Sequence, residues 1–157
     1  MRARVGLLLN LAVALLAGSH AATLSAQSEP LEDLARFPRT TIEIVSGTAH
    51  HRIDAWVADS EAHKRQGLMY VRELTASQGM LFTQCCSGIW MRNTYIELDI
   101  VFVHEGRITK IAARAKPFDE HTIGADGPVD AVIELKGGEA EVLKLKPGDR
   151  VSWQDPH

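Results

Sequence analysis

Apolar and polar residues alternate with period two through much of the chain. Thr41-Ile42-Glu43-Ile44-Val45 reads as a half-buried strand, and Gly47 turns it toward His51 to Ala58, where Ile53, Ala55 and Val57 share one face. These two runs predict a hairpin. Four further strands are predicted at Met80 to Thr83, Gly88 to Arg92, Leu98 to His104 and Arg107 to Ala113, the last two joined at Glu105-Gly106, and another at Val129 to Leu135. Helical signals are brief. Asp59 or Ser60 can cap a helix of about two turns that carries Glu61 in its first turn and ends at Gly67. A second turn of helix is expected at Glu139 to Leu143, after Gly137-Gly138, and Pro147-Gly148-Asp149 leads into a last strand, Arg150 to Trp153. Many short strands with turns between them predict a mainly β domain, an antiparallel β-sandwich or partly closed barrel with one or two short helices. A doubly wound parallel sheet would need helices of ten or more residues between strands, and the pattern offers none.

The first 40 residues have a different character. Met1 to Arg4 are basic, Val5 to Ala17 are apolar apart from Asn10, and Ser19-His20-Ala21 supplies small residues for cleavage, so residues 1–21 read as a secretory signal and the mature chain as extracytoplasmic, periplasmic or secreted. The apolar run is shorter than the roughly 20 residues that span a bilayer, which predicts no stable membrane insertion. Residues 22–40 read as a linker with at most a short turn at Leu31 to Phe37, leaving one domain at 41–154. Removal of Met1 to Ala21 takes away Arg2 and Arg4, leaving 15 basic residues against 20 acidic ones. The net charge moves from -3 to about -5, and no basic run remains to favour nucleic acid or an anionic membrane.

Chemistry concentrates between Gly79 and His104, where Arg92, Asn93, Thr94 and Asp99 separate two apolar runs. Asn93 and Thr94 at a strand end can close an Asx or ST turn, and Asp99 can pair with Arg65 or Arg72. The same residues can instead form a polar pocket walled by Trp90 and Met91. In that pocket Asn93 and Thr94 would hydrogen-bond a small ligand, an arginine would neutralise its charge, and Asp99 would hold hydroxyls. Arg65, Arg72, Trp90, Asn93, Thr94 and Asp99 are therefore the expected ligand-binding set. An aromatic face beside amides and carboxylates suits a sugar.

The remaining features point more weakly. Cys85 and Cys86 are adjacent; they can close on each other in an oxidising compartment, but two separate thiols at a turn is the simpler expectation. Met69, Met80 and Met91 with this pair could hold a soft metal such as copper, although methionines beside Leu68, Leu81 and Trp90 usually fill core. His50 and His51 face opposite ways on a strand and cannot share a metal, so no cofactor is expected. Residues 116–127, rich in acids, are expected to form a solvated lid. The sequence has no GxSxG or HExxH motif and no acid pair with glycosidase spacing, so catalysis is not assigned.

The order of motifs from Ala58 to Val151 resembles the domain-of-unknown-function 192 family. The likeness is carried by Arg65-Gln66-Gly67-Leu68-Met69 with Arg72 and Leu74, by Gly79-Met80-Leu81-Phe82, and by Trp90-Met91-Arg92-Asn93-Thr94 with Leu98-Asp99-Ile100. Pro117, Gly127-Pro128, Glu134-Leu135 with Gly138, and Lys146-Pro147-Gly148-Asp149 extend it. The resemblance implies a compact, mainly β domain, often exported, similar to a jelly-roll sandwich and without an established activity. Gln84-Cys85-Cys86-Ser87-Gly88 departs from the family's usual turn, so the resemblance says nothing about the cysteines. Together these features predict an exported module that binds a small molecule or cell-envelope glycan. The alternative is an envelope-acting hydrolase or transferase that uses Asp99 with an arginine.

Overall fold

The computed structural model describes residues 31–154, so the expected signal segment lies outside the described residues. After a 3₁₀ turn at Leu34–Arg36 come β1 (Arg39–Ser46), β2 (Ala49–Ala58), α1 (Glu61–Gln66), β3 (Gln78–Thr83) and the short β4 (Gly88–Ile89). They are followed by β5 (Leu98–His104), β6 (Arg107–Ala115), the short β7 (Ile123–Gly124), β8 (Ala131–Lys136), α2 (Glu139–Val142) and β9 (Arg150–Trp153). The molecule is mainly β, as its alternation predicts. Seven strands close into a barrel in the order β1, β2, β3, β8, β5, β6, β9, with β9 pairing back onto β1, while β4 and β7 form a separate two-stranded sheet.

The barrel is fully closed rather than an open sandwich, and one of its pairs is parallel. β1 and β2 form the expected hairpin, but β2 and β3 run side by side in register from Asp54 with Gln78 to Ala58 with Phe82. A parallel pair needs a crossover, and residues 59–77 supply it, carrying α1 across the outside of the barrel. Ser60 caps α1 by accepting from the His63 N–H at 3.0 Å, and Gly67 ends it at φ 51°, ψ -138°, a conformation that only glycine adopts without strain. The β5–β6 hairpin turns at Glu105 and Gly106, both at positive φ (47° and 67°), as a two-residue turn matched to strand twist requires.

The pleat sorts the apolar residues into two layers. Ile42, Ile44, Ile53, Leu81, Val101 and Ile133 are among the residues that fill the barrel interior. Met80, Phe82, Leu98, Ile100, Phe102 and Val132 face outward from β3, β5 and β8, where Phe37, Leu68, Leu74, Ile89 and Met91 cover them. Central strands buried on both faces read as nearly continuous apolar runs, which is how β5 and β8 appear in the sequence. Phe37 is only 3% exposed, so the packed domain begins inside the segment expected as linker. The expected strand at Gly88 to Arg92 stops after Ile89, because beyond Trp90 the chain turns: Met91 donates to the Asp119 carbonyl and Thr94 to the Met91 carbonyl. Among the described residues no helix is long and apolar enough to cross a membrane.

Asp99 lies on the inward face of β5 and is fully buried. Its Oδ1 accepts the Arg114 N–H at 2.8 Å and the Gly138 N–H at 3.0 Å, and its Oδ2 accepts the Ala140 N–H at 2.8 Å. The Arg114 N–H is turned toward it by an irregularity in the β5–β6 pairing, where Arg114 adopts φ 51°. Gly138 and Ala140 belong to the start of α2, so one carboxylate ties together β5, β6 and the β8–α2 turn. Removing it strands three backbone donors. Asp99→Ala should lower unfolding free energy by about 3 kcal/mol, and Asp99→Asn by somewhat less. Urea unfolding followed by circular dichroism measures this, and a loss below about 1 kcal/mol in the alanine variant would show that the three bonds contribute little net stability.

Candidate functional site

A cavity of about 460 Å³ opens on the outer layer, between α1, the residues after it, β3, β4 and β8. Its buried wall includes Leu68, Phe82, Ile89, Thr94 and Glu134, while Arg65, Trp90, Arg92 and Cys86 stand at the exposed rim. Trp90 is 44% exposed, and the Arg92 guanidinium lies 5.4 Å from its ring centroid. On α1, Lys64 Nζ reaches Glu61 Oε1 at 3.5 Å and the Gln84 carbonyl at 3.4 Å.

Glu134 is the unusual member of this wall. It sits in β8, paired with Met80 of β3 on one side and Ile100 of β5 on the other, and both neighbours are completely buried. The pleat that sends Ile133 and Leu135 inward sends Glu134 outward, beneath the second layer. It is only 4% exposed, and its Oε2 has no hydrogen-bond partner. A buried carboxylate without a counter-charge is costly, and burial pushes the Glu134 pKa up from 4.5 to about 8. At neutral pH the group is therefore a neutral acid with a proton to donate. Gly67 lies over it: a Cβ there would be 3.3 Å from the Phe82 ring and 4.0 Å from Glu134 Oε2. Glycine is thus required for backbone conformation and also for close packing on the Phe82 ring.

The N-terminal strap fixes α1 in place. Gln66 Nε2 donates to the Glu32 carbonyl at 2.7 Å, and the Glu32 N–H donates to Gln66 Oε1 at 2.8 Å. The His63 ring stacks on Phe37 at 3.9 Å between centroids and lies between Glu32 (3.1 Å) and Asp59 (2.8 Å). Burial of the ring opposes its charging, but hydrogen bonds to Glu32 and Asp59 outweigh that, and the His63 pKa is raised above 6.5.

Of the six expected site residues, Arg65, Trp90 and Thr94 line this cavity and the other three do not. Arg72 lies over the Tyr95 ring at 4.8 Å and borders a separate cavity of about 280 Å³. Asn93 occupies a turn at φ 55°, with Nδ2 3.9 Å from Met69 Sδ and its carbonyl accepting the Tyr70 N–H. Asp99 is on the other face of the sheet, already holding three N–H groups. The polar turn does close locally, with Thr94 Oγ1 donating to the Arg92 carbonyl at 3.4 Å.

Other expectations are corrected as well. Cys85 and Cys86 are joined by a disulfide rather than left as two thiols, the chain taking left-handed conformations at Gln84 (φ 49°) and Cys86 (φ 32°). The soft-sulfur set does not gather, because Met80 and Met91 are fully buried in the outer core while Met69 lines the cavity. Among the described residues no group of three His, Cys, Asp or Glu is placed to hold a metal ion. Residues 116–127 are not a loose lid: β7 pairs with β4, and Lys110 Nζ donates to the Gly124 carbonyl at 2.8 Å and Asp126 Oδ1 at 2.7 Å. Glu134 was missed in the sequence reading. Its signal is an acid within a strand whose neighbours on both faces are apolar.

Fold and site together define a small closed β-barrel with a lateral cavity around a buried acid. The chain belongs to the DUF192 family, described as an uncharacterized ACR, whose profile matches residues 42–153. Among solved structures it is similar to a protein of unknown function from Novosphingobium aromaticivorans DSM 12444, with 36% identity, 82% of this chain and 94% of that one covered, and a TM-score of 0.73. It is also similar to a candidate transcription regulator from Sinorhizobium meliloti 1021, with 31% identity, coverage of 74% and 95%, and a TM-score of 0.71. No functionally curated protein matches the chain.

Two outcomes follow from these titrations. Glu134 binds a proton more tightly folded than unfolded, so its cost to stability appears as pH rises above 4.5 and is complete above about 8. Glu134→Gln should therefore stabilise the protein by on the order of 3 kcal/mol at pH 8.5 and by little at pH 4.5, measured by urea unfolding at both values. His63 has the opposite consequence. Its raised pKa adds stability below pH 6.5 that is lost as pH rises through the folded value, so His63→Phe should cost about 1 kcal/mol more at pH 5.5 than at pH 9. Equal costs at the two pH values would mean that Phe37 stacking, not charge, holds the strap.

Proposed function

We propose that this protein is an exported binding module that takes a small, sugar-like ligand from the cell envelope into the cavity around Glu134. The observation that carries the reading is a carboxyl whose Oε2 has no partner, buried in an apolar strand in the wall of a cavity large enough for a monosaccharide. Native proteins rarely leave such a group unsatisfied, because its desolvation is not offset. A ligand hydroxyl or acceptor oxygen would complete it. Trp90, exposed at the rim, supplies a ring face for C–H groups, and Thr94 adds a hydroxyl nearby. The basic start and apolar run at Met1 to Ala17 support export. The acidic balance of the chain weighs against a nucleic-acid partner.

A second reading is favoured by the same residue. A carboxyl protonated near neutral pH inside a cleft is suited to general acid catalysis, so an envelope-acting hydrolase or transferase would use Glu134, not Asp99, as the proton donor. Ligand consumption separates the two readings.

Thermal-shift screening and isothermal titration of the mature protein against envelope monosaccharides test the proposal. Glu134→Leu and Trp90→Ala should each weaken binding tenfold or more, whereas Asn93→Ala, outside the cavity, should leave it within twofold. Binding that survives both cavity substitutions would place the ligand elsewhere.

A further inference from the structure

The chain's two cysteines, Cys85 and Cys86, are consecutive and bonded to each other. A crosslink stabilises mainly by restricting the unfolded chain, and the effect grows with the loop it closes, so a bond between adjacent residues staples nothing. The loop around it is held by other means. The Gln84 N–H donates to the Asp130 carbonyl at 3.0 Å, the Ala125 N–H to the Ser87 carbonyl at 2.8 Å, and β4 pairs with β7 immediately beyond. Both flanks of the pair are thus pinned by backbone bonds that do not involve sulfur, and opening the disulfide leaves the fold intact. Both cysteines also border the cavity, and they do so unequally. Cys86 is exposed at the rim, while Cys85 is half-buried against the outer apolar layer. Gln84 and Cys86 take left-handed φ (49° and 32°), which residues with a Cβ adopt at a cost, and an opened ring frees Cys86 to leave that conformation.

We propose that Cys85–Cys86 is a thiol–disulfide exchange site whose substrate is a dithiol reductant, and that its redox state reshapes the mouth of the cavity. A thiolate of the reductant attacks the exposed Cys86 Sγ, the Sγ–Sγ bond breaks, and its electron pair leaves on Cys85 Sγ, which takes up a proton. The reductant's second thiolate then attacks its own sulfur in the mixed disulfide, and Cys86 departs as a thiolate and is protonated in turn. The reductant closes its own disulfide. It loses two electrons and two protons, and the protein gains both. The exchange is independent of what the cavity binds and does not rest on the sugar reading.

The test is alkylation of the folded mature protein with iodoacetamide, read by mass spectrometry. Neither cysteine should be labelled before dithiothreitol and both after it, with the circular dichroism spectrum unchanged, and oxidised glutathione should restore the unlabelled form. A disulfide quenches a nearby indole, and Trp90 borders the same cavity, so tryptophan emission should rise on reduction and the rise should be absent from Trp90→Phe. Single variants read the point of attack. Cys86, left alone in Cys85→Ser, should form a mixed disulfide with oxidised glutathione roughly tenfold faster than Cys85 left alone in Cys86→Ser. Labelling of both cysteines without reductant would overturn the proposal, because the two thiols would then not pair. So would labelling that needs urea as well as dithiothreitol, or loss of the dichroism spectrum on reduction, since either makes the bond structural. Emission unchanged by reduction would overturn the link to the cavity, and equal or reversed rates in the single variants would overturn attack at Cys86.

Discussion

The period-two pleat of the two central strands, β5 and β8, determines where the chain's buried acids go. Asp99 and Glu134 lie in adjacent antiparallel strands that are covered on both faces. Asp99 points inward to the end of the barrel, where a bulged strand and the start of α2 present three N–H groups to it. Glu134 points outward into apolar packing, where nothing receives its Oε2. The two are equally acidic in composition and opposite in consequence. One is a carboxyl satisfied by three backbone donors, and the other is a carboxyl whose desolvation is uncompensated. Moving either by one residue would exchange its layer, so this distinction rests on register.

Much of the barrel was legible because its strands obey that same period. The β1–β2 and β5–β6 hairpins, the short helix ended by Gly67 and the final strand after Pro147-Gly148-Asp149 all follow from alternation and local turn chemistry. Closure and the parallel β2–β3 pair were not legible, since both depend on which distant strands become neighbours. The site was half legible. Arg65, Trp90 and Thr94 converge because the crossover carrying α1 and the turn after β4 pack on the same outer face. Asp99 was misplaced because its partners come from a bulge at Arg114 and a left-handed glycine at Gly138, neither of which has a hydrophobic signature. Glu134 lies in the expected strand Val129 to Leu135, but its burial was not legible, since what covers β8's second face comes from segments far away in sequence.

The outer layer also shows what holding such a cavity open requires. Tyr70, Gln84, Cys86, Asn93 and Phe118, in the segments around it, all have positive φ, and for Tyr70 (64°) and Phe118 (61°) this costs on the order of 1 kcal/mol each. Backbone bonds hold them there: Tyr70 donates to the Asn93 carbonyl, Phe118 to the Thr94 carbonyl and Met91 to the Asp119 carbonyl. The rings of Tyr70 and Phe118 both meet Tyr95, at 5.8 and 5.4 Å between centroids. Two separate segments, one at Tyr70 and one at Phe118 and Asp119, are thereby locked to the one turn that carries Thr94 into the cavity wall.

Strain and an uncompensated acid on the same face have a common interpretation. A domain selected only for stability would relieve both, with glutamine or leucine in β8 and glycine or asparagine at the left-handed aromatic positions. Inside the barrel the buried acid is compensated: Ile42, Ile53, Leu81, Val101 and Ile133 fill the interior, and Asp99 on the same face holds three backbone N–H groups. The acid without a partner lies in the layer that frames the cavity, and the barrel beneath it supplies the rigidity that tolerates it. The Glu134 carboxyl is held at a fixed position by its two flanking strands, so the cost of its desolvation is borne by a rigid scaffold.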